Sequence, residues 1–367
     1  MGTTGSGARD GSWRHGAWRQ RLARGAAAAA LALAPDLACA DETGESFWTP
    51  GSFGSLAATP SQPGFSLSST WYHTSTTAGS EVARARHQDR TVRASVAENV
   101  SAISASPEDL AMITPSYTFA TPVLGGQAAI GLQAVYGRKR TTDDAVLNTP
   151  VLVGPFATTR SRFDTISDTV TGFGDLSPQF SLRWNAGVHN VMTYMTGNIP
   201  VGAYNRARLS NIGIGHGAVD AGGAYTYLNE QTGYEFSAVA GVTYNFINPH
   251  TQYQSGIDVH LDWGASRYLT KQLQMGLVGY LYNQASCDGG AGDRVGCFQS
   301  RVASAGAQLG YAIPMGDLDG NVSIKAYKEF AAANRPEGWN LWLTYALSPA
   351  DPGPTRPTPP ARRLYAK

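Results

Sequence analysis

No stretch of 18 apolar residues occurs in this chain of 367, so nothing in it reads as a membrane-crossing helix. Charge is scarce too: charged residues make up 15% and the net charge is +1. That balance offers no basic face and excludes nucleic acid as the expected partner. Helical spacing is nearly absent, and Glu81 to Ser104 is the one place where a short helix is plausible. Cysteine is sparse, at three residues. Glycine is not: its 42 residues, with period-two alternation, dominate the chain from Phe65 onward. The length suits two ordinary domains or one large all-β domain.

The first forty residues read as an export signal. Arg9, Arg14, Arg19, Arg21 and Arg24 precede the run AAAAALALA, and Ala38-Cys39-Ala40 has the form of a cleavage site, so the mature chain would begin at Asp41. Acylation of Cys39 is the lipoprotein alternative. Export would leave Cys287 and Cys297 in an oxidising compartment, bracketing the glycine-rich CDGGAGDRVGC, and a disulfide between them is the favoured reading. The rival is a metal site, for which two cysteines without neighbouring histidines fall short of four ligands.

Alternation bounded by turn residues predicts strands near 64–74, 108–120, 126–137, 173–184, 188–198, 218–228, 234–246, 256–268, 272–284, 300–313, 320–331 and 339–347. These segments have the length of membrane-spanning strands, which need roughly nine to eleven residues, rather than the five or six of soluble ones. Connections alternate between short (Thr121, Asn185, Asn229, Leu269, Pro314) and long (75–107, 138–172, 199–217, 285–299, with 247–255 and 332–338 less so). The expected fold is therefore all-β: a transmembrane antiparallel up-and-down barrel of about twelve strands, with short periplasmic turns and long extracellular loops. Aromatics at the strand ends, such as Tyr234, Tyr311 and Tyr345 at one end and Tyr136, Phe246 and Trp339 at the other, fit interface girdles. Pro178 lies on an outward face, where it cannot donate to a ladder, and predicts an irregularity.

The domain plan is a signal over 1–40, a segment 41–63, a barrel over 64–347 and a proline-rich disordered tail over 348–367. Segment 41–63, carrying Phe47, Trp48 and Phe53, is either an inner plug or a periplasmic lead.

The inward faces carry the candidate lumen and solute-path residues Asp175, Gln179, Arg183, Asp220, Glu235, Asp258, His260, Asp262, Gln274, Lys325 and Glu329, with Gln308 in the same inventory. Mixed charges are expected in any such lumen, because buried charges are costly unless paired. In GIDVHLDWGASRYL, Asp258, His260 and Asp262 share one face with about 7 Å per two residues. Metal ligands converge within about 2 Å of one ion, so no metal is expected there, and an ion ladder along a channel wall fits better. For catalysis, barrel lipases would set a serine and histidine together on the outward rim. Here His260 points inward, His189 and His216 lie near strand ends, and no G-x-S-x-G occurs. A triad assembled across strands stays open, as does a barrel with a purely structural role. LSNIGIGHGAVDAGG lacks the strand-to-helix setting of a phosphate loop, and nothing calls for a cofactor.

The stretches GFGDLSPQFSLRWN, TGNIPVGAY, NPHTQYQSGIDVHLDW, LVGYLYNQ, GAQLGYAIPMG and NRPEGWNLWLTYAL resemble the outer-membrane transporter family of the MetA-pathway of phenol degradation, or SphA-like, group over residues 64 to 347. The resemblance implies a non-enzymatic outer-membrane barrel, tied to degradation of phenols and other aromatics, that passes small hydrophobic solutes. Its partners would be outer-membrane lipid, the small-molecule solute and the barrel assembly machinery. It transfers no catalytic residue and leaves the oligomeric state open. One departure is that Leu347, not an aromatic residue, closes the last expected strand.

Overall fold

The computed structural model describes residues 46–78, 100–153, 156–293, 296–297 and 299–350. Its strands are β1 (Gly64–Ala78), β2 (Val100–Thr118), β3 (Gln127–Val153), β4 (Phe156–Ala186), β5 (His189–Asn198), β6 (Ala218–Asn229), β7 (Tyr234–Asn245), β8 (Asp258–Tyr268), β9 (Leu273–Gln284), β10 (Arg301–Met315), β11 (Leu318–Ala333) and β12 (Glu337–Pro349). Each pairs antiparallel with its chain neighbours, and β1 pairs with β12 from Leu67↔Leu347 to Thr77↔Glu337, which closes the barrel. Closure removes both sheet edges, so every strand of the wall has its backbone partners on two sides.

Period two decides what faces where. In β7 every second residue, Glu235, Ser237, Val239, Gly241, Thr243 and Asn245, is buried, while Tyr234, Phe236, Val242 and Tyr244 are exposed outward. In β9 Met275, Leu277 and Leu281 stand outward at 49%, 61% and 51% exposure, opposite buried Gln274, Val278, Tyr280, Tyr282 and Gln284. Large apolar groups exposed all round the wall are stable only against lipid, whereas a soluble domain would bury them. Two-residue turns join β4 to β5 and β10 to β11. Gly187 (φ 68°) and Gly316 (φ 75°) sit in the left-handed region there, which a β-carbon disfavours.

Of the connections expected as loops, one is almost wholly strand and another is strand at both of its described ends. The stretch 138–172 belongs to β3 and β4, paired without interruption from Tyr136↔Phe173 to Val153↔Phe156, and β2 starts at Val100 rather than near 108. The reason is physical: beyond the bilayer a hairpin closes its own backbone hydrogen bonds in water and needs no apolar outer face, so the alternation that marks the lipid-facing strands is absent. The helix expected over Glu81 to Ser104 falls mostly outside the described residues, and its last part, from Val100, is strand. Ser348 and Pro349, assigned to the tail, extend β12. Residues 1–45 and 351–367 lie outside the described residues, and with them the signal and the rest of the tail.

The irregularity expected near Pro178 is present. The β3–β4 register shifts between Ala134 and Tyr136, opposite Leu176 and Phe173, leaving one extra residue on β4. The β4–β5 ladder stops at Gln179↔Thr196, and beyond it only an isolated Leu176↔Ile199 bridge follows. Cys287 and Cys297 form a disulfide with Cα atoms 4.7 Å apart, in the loop after β9.

Candidate functional site

The inside of the barrel is shared by a chain segment and an open cavity. Residues 46–63 precede β1 and lie within the lumen. Lacking a ladder of their own, they need partners for their backbone polar groups, and the inward residues of the wall supply them. Asp262 accepts from Gly51 N at 3.1 Å through Oδ1 and from Phe53 N at 3.0 Å through Oδ2. Lys325 Nζ donates to the carbonyls of Gly51, Ser52 and Phe53 at 2.6, 3.1 and 3.2 Å. Glu235 Oε1 accepts from Leu56 N at 2.9 Å, Thr226 Oγ1 from Ala58 N at 3.0 Å, and Gln127 Oε1 from Ser61 N at 2.9 Å. Gln308 donates to Ser55 Oγ. Gly51 takes φ 88°, and a β-carbon there would come 3.1–3.2 Å from the Tyr327 and Tyr280 rings.

The segment also brings apolar anchors. The Trp48 indole stacks on His260 with ring centres 3.7 Å apart and 12° between planes, and Phe53 packs 5.5 Å from Tyr194. Trp48, Ala58, Met192, Tyr194, Ala224 and Val239 form one buried cluster. Beneath Trp48, His260 Nε2 meets Asp220 Oδ2 at 2.9 Å with both side chains fully enclosed, and Thr243 Oγ1 donates to the same oxygen at 2.6 Å. Asn245 Nδ2 donates to Asp258 Oδ2 at 2.9 Å.

These contacts correct the reading of Asp258, His260 and Asp262 as an ion ladder facing water. All three are buried, and each engages a different element: Asp258 with β7, His260 with β6 and Trp48, Asp262 with the N-terminal segment. Among the described residues no group of three or more His, Cys, Asp or Glu is placed to hold a metal ion.

The cavity occupies about 720 Å³ on the other side of the segment, against the wall from β1 to β5 and β12. Its lining reaches from Ser66, Thr118 and Ser348 near the short turns to Thr76, Thr141 and Asn198 near the long loops. Of the eleven candidate path residues, Asp175, Gln179, Arg183 and Glu329 line it. Asp220, Glu235, Asp258, His260, Asp262, Gln274 and Lys325 do not; they hold the segment, one another or other wall residues, as Gln274 Nε2 does in donating to Ser266 Oγ at 2.5 Å. Two of the lining carboxylates are already occupied. Asp175 accepts from Gly202 N at 2.7 Å, Ile214 N at 2.9 Å and Asn198 Nδ2 at 2.9 Å, pinning the loop after β5. Glu329 accepts from Tyr280 OH at 2.7 Å and Gly338 N at 2.8 Å. That loop also carries His216, whose burial pulls its imidazole below the usual range.

Lining residues absent from the sequence inventory include the charged Glu108, Lys139 and Arg335, a set of hydroxyls, and the apolar or aromatic Tyr72, Met112, Met192, Tyr194, Tyr280 and Trp342; the last six are the unexpected ones. The signal that marks them is parity. Each occupies an inward position of its strand, where a water-filled pore would place a polar side chain.

A closed, lipid-faced antiparallel barrel of twelve strands, with short turns at one end and its lumen partly filled, is an outer-membrane-type transmembrane barrel. The chain belongs to the family described as "Putative MetA-pathway of phenol degradation", whose model matches residues 112–345. Among solved structures, the fold is similar to an outer membrane channel from Pseudomonas putida F1, at 11% identity and TM-score 0.58, covering 79% of this chain and 97% of that one. A Pseudomonas aeruginosa FadL homologue aligns at 10% identity and TM-score 0.34 over 86% of this chain and 95% of that one. The translocator domain of autotransporter NalP from Neisseria meningitidis aligns at 8% identity and TM-score 0.32 over 80% and 91%. No curated protein matches the chain.

Proposed function

We propose that the protein is an outer-membrane channel that passes small hydrophobic or aromatic solutes along the cavity between residues 46–53 and the wall of β1–β5. On this reading residues 1–40 direct export, the assembly machinery inserts the barrel, and residues 46–63 narrow the lumen. The observation that carries the reading is the cavity itself: about 720 Å³, lined from the turn end to the loop end, with Tyr72, Met112, Met192, Tyr194 and Trp342 among its walls. Its size suits a small organic molecule. Membership of the phenol-degradation family supports the aromatic class of solute. Transport is favoured over catalysis because the buried carboxylates and His260 are engaged in holding the segment, loops and neighbouring strands.

The test is uptake into proteoliposomes of a panel from sugars to substituted phenols, measured above protein-free vesicles. Monocyclic aromatics should enter faster than sugars of similar size. Equal rates, or rates no higher than those of empty vesicles, would overturn the proposal, and release of fatty acid from the lipid would favour a lipid-modifying enzyme instead.

A further inference from the structure

The charged groups of the cavity are unevenly distributed along its axis. Glu108, Lys139, Asp175, Glu329 and Arg335 all lie toward the loop end, at least ten residues along the chain from the nearest short turn, where both signs occur together. Near the turn end the cavity is lined by hydroxyls, Ser61, Ser66, Ser116, Thr118 and Ser181, and by one charge, Arg183, three residues before the end of β4. Arg183 has no carboxylate partner among the described residues. Its Nη1 donates to Ser181 Oγ at 2.7 Å, and its Nε is buried without a partner. The side chain is half-buried with its Nε enclosed, and a guanidinium so placed ordinarily sits opposite a carboxylate or phosphate, because unpaired burial is costly.

Its position is the second observation. A smaller pocket of about 300 Å³ opens at the turn end, lined by Pro60, Phe119, Gln127, Trp184 and others, and Arg183 is the one residue that lines both this pocket and the main cavity. It therefore stands where the two spaces meet, beside the point at which Gln127 clasps Ser61 of the N-terminal segment.

The register shows what surrounds it. Gln127, Arg183 and Met192 form one inward row across β3, β4 and β5, and Ala129, Ser181 and Tyr194 form the next. Arg183 is thus flanked by Met192 on the β5 side and Gln127 on the β3 side, and the next row adds the Tyr194 ring and the methyl-sized Ala129. Trp48 and Phe53 pack against the Tyr194 ring, with centres 6.0 and 5.5 Å away, and extend the same apolar face where it borders the cavity.

We infer that Arg183 and the Met192–Tyr194 face form an anion subsite at the turn end of the channel, taking amphipathic organic monoanions: an aromatic ring bearing one carboxylate. The ring lies on Tyr194 and Met192 while the carboxylate accepts from the guanidinium. This inference rests on the channel reading and names the solute class within it.

The experiment uses the mature chain refolded into planar bilayers, with reversal potentials measured in gradients of sodium benzoate and of benzylammonium chloride. Benzoate and benzyl alcohol binding in detergent is measured in parallel by titration calorimetry. The wild type should prefer benzoate over benzylammonium and bind benzoate more tightly than benzyl alcohol. Arg183→Gln should lose both preferences, with benzoate binding weakened about tenfold or more, the scale of one lost hydrogen bond to a charged group. Arg183→Lys, which keeps the charge without the planar fork, should recover part of the loss. A wild type that conducts without preferring benzoate, or an Arg183→Gln variant that keeps the wild-type reversal potential and benzoate affinity, overturns the subsite and leaves the channel standing. A wild type that neither conducts nor binds any of the probes overturns the channel reading and the subsite together.

Discussion

Replacing Asp262 with Asn tests whether the lumen wall holds residues 46–63 in place. The carboxylate accepts from Gly51 N and Phe53 N at 3.1 and 3.0 Å, one to each oxygen, and is 1% exposed. Asparagine keeps the shape but offers one acceptor and turns an NH₂ group toward the other amide, so one hydrogen bond to a charged acceptor is lost and two donors face each other. Such bonds contribute roughly 2–3 kcal/mol, and that difference moves a local opening equilibrium roughly 30- to 150-fold. Lys325, which grips the carbonyls of residues 51–53, would also lose the buried negative charge nearest its grip, adding to the effect. Amide hydrogen exchange of the peptide spanning 46–58, read by mass spectrometry on the barrel in detergent, reports the opening directly. Protection of that peptide should fall by the stated factor while the β6–β8 peptides keep theirs. A fall of less than threefold in a correctly folded variant would refute the claim that Asp262 is a principal anchor.

Two further outcomes follow from particular contacts. Gly241→Ala would drive a β-carbon into the Tyr194 hydroxyl and the His260 ring, groups held in place by the Trp48 stack and by Asp220, so the thermal midpoint should drop by the equivalent of about 1–3 kcal/mol, measured against Val239→Ala as a core reference. On the loop side of the barrel, beyond the span a bilayer requires, the hydrogen bond from Arg208 holds the Asp168 carboxyl down at about 2, with Ser210 N also donating to it. A depressed carboxylate contributes stability above its ordinary value near 3.8 and loses it as pH falls through about 2, so proteolysis of the loop 199–217 should be slow at pH 4 and accelerate toward pH 2. Asp168→Asn should bring the faster rate at neutral pH.

The lipid-facing architecture was legible because the bilayer writes itself into the chain: Met275, Leu277 and Leu281 alternate with inward Gln274, Tyr280 and Tyr282 for as long as the strand is in contact with lipid. Where water replaces lipid the signal stops, which is why the outer parts of β3 and β4 read as a loop although their ladder runs on to Val153↔Phe156. The site was legible by face and not by partner. Asp258, His260 and Asp262 were placed inward on one strand. Which of them meets Asn245, Asp220 or Gly51 depends on registers and on a segment about two hundred residues away, and neither leaves a trace in local spacing. With Phe47, Trp48 and Phe53, segment 41–63 reads equally as a plug or a periplasmic lead, because an irregular stretch held by wall side chains has no periodicity from which its path could be read.

The path of residues 46–63 has a mechanical consequence. Every hydrogen-bonded ladder in the wall joins strands that are neighbours around the ring, so the ring by itself resists stretching along its circumference but offers little against being squeezed into an oval. The N-terminal segment ties Gln127 on β3, Thr226 on β6, Glu235 on β7, Asp262 on β8, Gln308 on β10 and Lys325 on β11 into one body. It works as a strut across the cylinder, setting the width of the open half by holding the other half rigid. Cutting the strut would change the cross-section along the whole lumen as well as vacating the space the segment fills.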